Sequence, residues 1–410
     1  MCTQLDQLPP EILSKILSFL TKDDLVQVAQ VSKDSRRLCL EDPRWKHLKG
    51  SVANFRPDHF RNLKELQNGH QGHVSNKNSL KEACRIAHNW RHHRPKDYTV
   101  KKQRQKLLPW LCVDENTLFF SHTSNILSYG VRQGYRNGVD HRKSRVYRGH
   151  RKDVVRFAVT NTHVISGGRD DKLLIWKKNI EDPIQRIPVD KPVVSLDASS
   201  TSIVTGIRET GIMVFGKNDV GFSSKYVYPM EDIVWTVVIN PDERYFTSGS
   251  SCHKDRQPLN VYDLERGTRV TTCGRDYRYG AGVLALHYQN PFTFISCGYD
   301  CSVNCWDLRD SCRLPVVSFP DEEQSFPYSV DSDLDNFVVC GLCRYGHIKF
   351  WDKRYPSKSL RSFFIGNVGL LNNSSPVYSL KMTATHLYAA LSQSLQSMDF
   401  TGNLCQLPAR

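Results

Sequence analysis

Thiol chemistry is the first chemistry the residue spacing suggests. Cys297, Cys301 and Cys305 recur every four residues, and Cys340-x-x-Cys343 has the spacing of a redox or zinc pair. A zinc site needs four converging ligands, usually drawn from two such pairs. Both sets fall in segments that read as strands and turns, where free cysteine commonly serves as a small apolar filler. Core thiols are therefore expected. No Gly-rich phosphate loop, Gly-x-Ser-x-Gly elbow or His-Glu-x-x-His occurs. The expectation is no catalytic residue, no metal and no cofactor. A second feature is charge: Arg91 to Lys106 holds seven Lys or Arg and one Asp. Such a run could be a nuclear signal or a site for RNA or acidic protein. The plainer reading, which we prefer, is a solvated outer strand around Tyr98-Thr99-Val100, because charge runs usually mark solvated faces.

The elements that must carry these residues show a repeat. Strands end on Tyr129, Trp176, Phe215, Tyr262, Trp306, Trp351 and Met398, at spacings of 47, 39, 47, 44, 45 and 47. An acid follows four of the anchors, as Tyr262-Asp263, Trp306-Asp307, Trp351-Asp352 and Met398-Asp399. A period of this size with a terminal Trp-Asp is the signature of WD40 propeller blades. Seven blades are expected, and a propeller is more often a recognition surface than a catalyst.

The bulk numbers bound the class. At 410 residues, two or three domains are expected, and 39% hydrophobic with 24% charged residues is ordinary for a soluble globular protein. Nothing approaches eighteen uninterrupted apolar residues, and Met1 to Asp6 does not read as a signal peptide. The thirteen cysteines are expected to be reduced, in a cytoplasmic or nuclear protein with no membrane partner. The net charge of +14 divides into +1 for residues 1–50, +9 for 51–106 and +4 for 107–410. The propeller segment is thus nearly neutral, which argues against nucleic acid as its ligand.

In the N-terminal fifty residues, Leu8, Ile12, Leu13, Ile16, Leu17 and Leu20 recur at helical spacing. Pro9 and Pro10 suit a first helical turn, and Thr21 can cap a second helix carrying Leu25, Val28 and Val31. A third short helix would carry Leu38 and Leu40 and stop at Asp42-Pro43. By themselves these stripes describe a small helical core. The phrases Leu8-Pro9-Pro10-Glu11-Ile12-Leu13, Ile16-Leu17-Ser18-Phe19-Leu20, Val28-Ala29-Gln30-Val31-Ser32 and Pro43-Arg44-Trp45 resemble an F-box along its whole length. That resemblance implies binding of the Skp adaptor, and through it cullin and RING subunits of a ubiquitin ligase. It places Leu8, Pro9, Glu11, Ile12, Ile16 and Phe19 at the adaptor interface.

The organisation expected is an all-α F-box at 1–50, a basic helical linker at 51–106 and an all-β seven-bladed propeller at 107–410. Leu80, Ala83, Cys84, Ala87 and Trp90 fall near one helical face, resembling the linker helix of F-box/WD proteins. The last blade leaves little chain for an outer strand, so a strand near 97–103 is expected to close the ring and remove open edges. Asp170 and Asp300 each precede their Trp by six residues. In WD proteins that aspartate belongs to a hydrogen-bonded set, here Ser166 with Trp176 and Ser296 with Trp306, and Gly149-His150 completes the first set.

Resemblance to F-box/WD proteins also implies where substrate sits, on the face formed early in each first strand and just before the turn aspartate. Carried onto this chain, those positions are Arg156, Arg169, Arg208, Tyr299 and Arg344, with Trp235 close by. Guanidinium forks suit phosphate or carboxylate, so a protein substrate bearing an acidic or phosphorylated segment is expected. The plainer alternative is that these arginines are ordinary solvated turn residues, or pair with local acids such as Asp171 and Glu209. The function expected is a substrate-recognition adaptor of a Skp–cullin–F-box ligase, and the alternative is a WD-repeat scaffold or RNA-associated protein using the basic linker.

Overall fold

All seven anchors lie in the third strand of a four-stranded antiparallel sheet. The computed structural model describes Ile86, Asn89, Trp90 and residues 95–402, apart from 132–136, 276, 322, 334–335 and 367–374. The F-box expected at 1–50 lies outside the described residues. Of the expected linker helix, Ile86, Asn89 and Trp90 are helical and buried. The chain divides into two compact units, and Arg91–Gly402 is the second.

Six sheets use consecutive strands within 111–147, 154–188, 193–228, 234–272, 283–320 and 327–364. They are numbered here as blades one to six. Blade seven takes three strands from 377–399, and its fourth is Lys96–Lys102, paired antiparallel with Ser394–Asp399. Both ends of this unit thus share one sheet, and no edge of the ring is left between blades seven and one. In Lys96–Lys102 only Val100 is buried, while Lys96, Lys101 and Lys102 are exposed. These lysines of the basic run therefore form the solvated side of an outer strand, where charge also discourages pairing with foreign strands.

Each anchor stands opposite an apolar residue of the second strand. Examples are Trp176 opposite Val164, Trp306 opposite Phe294 and Met398 opposite Leu387. The anchors are 1–6% exposed, so Tyr, Phe and Met fill the same buried position as Trp. The core runs as apolar clusters between neighbouring blades. One of them joins Val100, Tyr388, Ala390 and Leu395 of blade seven to Leu111, Leu118 and Tyr129 of blade one. The blades meet closely because the second strand carries a small residue where it faces the next first strand. A Cβ on Gly249 would lie 2.8 Å from Val283 Cβ, which only glycine avoids.

First strands line the centre of the ring. Ser195 Oγ donates to the Val234 carbonyl (2.8 Å), Ser329 Oγ to the Val377 carbonyl (2.8 Å) and Ser379 Oγ to the Leu111 carbonyl (3.4 Å), each in the next blade. These hydroxyls tie adjacent blades through backbone carbonyls that their own sheets leave unused at that edge.

Candidate functional site

One irregularity recurs in six blades and shapes one face of the ring. The first strand bulges near its start, leaving one residue without a register partner: Val155, Val194, Trp235, Leu284, Tyr328 or Tyr378. A bulge re-aims its side chain and bends the strand. The bulged residues are half-buried, although their neighbours Val154, Val193, Val234, Val283, Pro327 and Val377 are buried. The turn after each second strand comes to the same face. Backbone N–H groups of Arg169, Arg208, Ser251 and Tyr299 donate to the carbonyls of Asp153, Pro192, Ile233 and Gly282, just ahead of a first strand. That turn holds Asp171, Glu209, Cys301 and Tyr345 at φ of 58–63°, a left-handed conformation that non-glycine residues rarely adopt. Tight turns of this kind fix the residues before them.

The six residues expected on this face divide into three situations. Trp235 and Tyr299 meet edge to face, with ring centroids 5.3 Å apart and planes at 75°. Arg156 is half-buried and lies over the ring of Trp110, its Cζ 3.8 Å from the centroid. Burial pushes the Arg156 guanidinium down to about 10, and among the described residues its side chain has no hydrogen bond or ion pair. Arg169, Arg208 and Arg344 are exposed, and none joins the aromatic pair. Glu209 pairs with Lys191 (3.3 Å) rather than with Arg208. Asp171 Oδ1 is buried without a hydrogen-bond partner. Arg169, Arg208 and Arg344 thus match the alternative of solvated turn residues, and the described residues show no pairing of them with Asp171 or Glu209. Leu8, Pro9, Glu11, Ile12, Ile16 and Phe19 lie outside the described residues.

Sequence reasoning missed the rest of the aromatic group. Tyr299 also meets Phe326 (5.3 Å, 79°) and Tyr328 (6.1 Å, 86°), and Tyr328 meets Tyr378 (5.9 Å, 83°). The Tyr299 and Tyr328 hydroxyls are 3.2 Å apart. Edge-to-face contact is the favoured geometry for aromatic quadrupoles. Burial raises the Tyr328 and Tyr378 hydroxyls above the ordinary phenol value, so both stay protonated at neutral pH. Gly282 makes room for this group, since a Cβ there would lie 2.6 Å from Trp235 Cζ3 and 2.6 Å from the Ser250 carbonyl oxygen.

The hydrogen-bonded sets under the face differ between blades. In blade two, His150 Nδ1 donates to Asp170 Oδ1 (2.7 Å) and Ser166 Oγ lies 2.6 Å from His150 Nε2. The carboxylate can only accept, so the proton sits on Nδ1 and Ser166 donates to Nε2. Burial outweighs Asp170 and lowers the His150 pKa, keeping the ring neutral at pH 7. Trp176 Nε1 is buried with no partner, which corrects the expectation that Ser166 and Trp176 are bonded. In blade five the expected bond is present: Trp306 Nε1 donates to Ser296 Oγ (2.8 Å). Asp300 there accepts instead from Ser302 and Asn304.

Cys297, Cys305 and Cys340 are buried in strands, and Cys301 and Cys343 are half-buried in turns. Burial raises Cys305 to about 11 and Cys297 well above the usual thiol value, which leaves them protonated and inert. Among the described residues, no group of three or more His, Cys, Asp or Glu is placed to hold a metal ion. No helix among them is long and apolar enough to cross a membrane.

Known proteins share this arrangement. Residues 5–50 match the F-box-like family, and 141–177 match the WD domain, G-beta repeat. The F-box/WD repeat-containing protein 4 of Mus musculus is 32% identical over 396 residues, 96% of this chain and 93% of its own. This chain belongs to the F-box/WD repeat protein family. The Homo sapiens F-box/WD repeat-containing protein 4 is likewise 32% identical over 396 residues, covering 96% of this chain and 92% of its own. Among solved structures, the RRP9 WD40 repeats superpose with a TM-score of 0.59 at 14% identity, covering 75% of this chain and 98% of that one. That likeness concerns the propeller fold alone. Proteins of the F-box/WD family are generally adaptors without catalytic residues.

Proposed function

We propose that this protein is the substrate-recognition subunit of a Skp–cullin–F-box ubiquitin ligase. Residues 1–50 dock the Skp adaptor through Leu8, Pro9, Glu11, Ile12, Ile16 and Phe19. The segment after residue 50 links them to the propeller, which takes Lys96–Lys102 as a strand of its last blade and presents a protein substrate. Transfer of ubiquitin belongs to the RING subunit and its conjugating enzyme, so this chain supplies position rather than chemistry. A substrate held in one place raises the local concentration of its lysines at the loaded enzyme.

The observation that carries this reading is an F-box-like match over 5–50 on the same chain as a propeller that presents an unpaired guanidinium at its bulged face. A desolvated cation without a counter-ion is costly unless a ligand completes it. Arg156, with Arg169, Arg208 and Arg344 around the face and Trp235 and Tyr299 across it, suits an acidic or phosphorylated segment. The first test is co-purification with the Skp adaptor. Intact chain should bind, and the Leu8→Ala, Pro9→Ala double variant should lose binding while its propeller still melts normally. Failure of well-folded intact chain to bind would refute the adaptor role.

A further inference from the structure

One position in the ring changes character from blade to blade, and in blade four it is left incomplete. The residue two before the third-strand anchor is apolar in blades one to three, as Leu127, Leu174 and Met213. In blades four to seven it is polar, as Asn260, Asn304, Lys349 and Gln396. The chain itself serves three of these side chains. Ser318 Oγ donates to Asn304 Oδ1 (2.7 Å) and Thr99 Oγ1 donates to Gln396 Oε1 (3.0 Å). The buried Lys349 ammonium bonds to Asp321, with Glu323 3.5 Å away. Asn260 is the exception. Its Nδ2 donates to the Gln257 carbonyl (2.8 Å), which sets the orientation of the amide, and its Oδ1 is buried with no hydrogen-bond partner among the described residues. Thr272 stands opposite it in the outer strand, as Ser318 stands opposite Asn304, yet makes no such bond.

Asn260 lines a cleft of about 720 Å³ between blades three and four. A volume of this size suits a small ligand or one long side chain. One wall is the connection from Tyr228 to Asp232, and another is the loop at Lys254 and Asp255. The loop is held by the Asp232 carboxylate, which accepts from Ser251 Oγ (2.8 Å) and from the N–H groups of His253 (3.0 Å), Lys254 (3.0 Å) and Asp255 (2.8 Å). The rings of Tyr228 and Tyr262 also line the cleft and meet edge to face, with centroids 4.7 Å apart. The walls are therefore fixed by bonds of their own and need no occupant to form.

We infer that this cleft binds an ammonium or guanidinium group, with Asn260 Oδ1 accepting its hydrogen bond. The ring supplies a precedent. In blade six an ammonium stands at the matching position, and acids just after the outer strand hold it. Blade four has an acid in the same connection, Glu231, and a buried acceptor, but no donor that reaches it. A buried acceptor without a donor is costly, so serving it is where a ligand gains most. A cation also gains from charge-assisted bonding and from the tyrosine rings. The charged residues of the lining, Glu231, Lys254, Asp255 and Arg269, include both signs and are exposed apart from Asp232, which is already saturated. Solvent screens them, so Asn260, 1% exposed, decides the choice. The net charge of +14 makes non-specific attraction of a cation to this chain unfavourable. The site lies apart from the bulged first strands, and it stands whether or not the chain is a ligase adaptor.

The test is saturation-transfer NMR on the intact chain. The probes are the Nα-acetyl methylamides of lysine, arginine, norleucine and glutamate, together with spermidine. Transfer is expected to the lysine or arginine probe or to spermidine, and not to norleucine, which lacks only the charged group. Asn260→Leu gives blade four the residue of blade two and should weaken binding at least about tenfold. Asn260→Asp should tighten it about tenfold. Glu231→Gln, at the exposed mouth, should weaken it about twofold and carries the test if Asn260→Leu melts early. Stronger binding of the capped amino acids than of spermidine assigns the cation to a side chain of a partner protein, and the reverse assigns it to a free polyamine. Either supports the inference. Equal transfer to norleucine, preference for the glutamate probe, or binding unchanged in Asn260→Leu overturns it. Transfer to none of the probes overturns it too and leaves the cleft to water, while Skp co-purification reports separately on the F-box.

Discussion

Replacing Trp306 by Phe should cost far more stability than replacing Trp176 by Phe. The two side chains are matched in almost every respect. Both anchor a third strand, both face an apolar residue of the second strand, and they are 2% and 1% exposed. Truncating either indole to a phenyl ring removes a similar volume, so the cavity cost cancels in the difference. What differs is the indole N–H. Trp306 Nε1 donates to Ser296 Oγ at 2.8 Å, whereas Trp176 Nε1 is buried without a partner. Losing the Trp306 bond forfeits about 1 kcal/mol and leaves a buried serine hydroxyl unserved, at about 1–3 kcal/mol. Removing the orphaned Trp176 N–H recovers a desolvation penalty of similar size.

The difference between the two variants should therefore be about 2–4 kcal/mol, in favour of Trp176→Phe. Urea unfolding of the intact chain, followed by far-ultraviolet circular dichroism, measures it without relying on indole fluorescence. Ser296→Ala supplies the control. In a double-mutant cycle it should couple to Trp306→Phe by roughly 1 kcal/mol, because each variant breaks the same bond. Ser166→Ala should show no coupling to Trp176→Phe, since His150 is the partner of that serine. Equal costs for the two tryptophan variants, within about 0.5 kcal/mol, would refute the argument from hydrogen bonding.

Three further outcomes are expected. Val100→Asp places a charge in the cluster that joins blades seven and one. It should lower the melting temperature by several degrees and increase aggregation on heating, measured by scanning fluorimetry with light scattering. Gly249→Val forces side-chain atoms against Val283 and Thr236 across the seam of blades four and five, and should destabilise by about 1–3 kcal/mol in chemical denaturation. Burial raises the Asp197 carboxyl from 3.8 to about 6, although the Ile239 N–H bonds to it at 2.8 Å. Its stability contribution is full below pH 4 and is lost as pH rises to about 6, because the unfolded chain ionises first. Asp197→Asn should match the parent near pH 4 and exceed it at pH 7 by up to about 3 kcal/mol. A stability difference that does not change with pH would contradict this account.

The ring was legible because its period is carried by burial rather than by residue identity. Tyr129, Phe215, Tyr262 and Met398 replace Trp, yet each occupies the buried third-strand site, since any large apolar side chain can fill it. The hydrogen-bonded sets were less legible. Ser, Asp and Trp recur at the same spacing in blades two and five, but only blade two has a histidine to intercept the serine. Spacing gives proximity, and which donor reaches which acceptor is settled by side-chain direction over a few tenths of an ångström. The steric role of Gly282 was equally hidden, because it depends on Trp235, 47 residues away in sequence.

The bulged face was half legible for a related reason. Arg156, Trp235 and Tyr299 follow from the resemblance to F-box/WD proteins, and in the structure two of them sit at or beside a first-strand bulge and one sits in a tight turn. Tyr328 and Tyr378 occupy the same bulge position as Trp235, but nothing in a run such as Pro327-Tyr328-Ser329 or Val377-Tyr378-Ser379 announces that the middle residue lacks a partner. Strict alternation would alternate the faces along a strand, and the bulge interrupts that count by one. Once it is known, the sequence can be read differently. Each bulged position is preceded by a buried Val or Pro and followed by Arg, Ser, Thr or Ala, and the residue between them is half-buried rather than part of the core. By that rule Val155, Val194 and Leu284 complete the central lining. The aliphatic positions of blades two and three flank Arg156, and the aromatic positions lie opposite. The face is therefore asymmetric: Arg156, Arg169 and Arg208 come from blades two and three, and the aromatic group comes from blades four to seven.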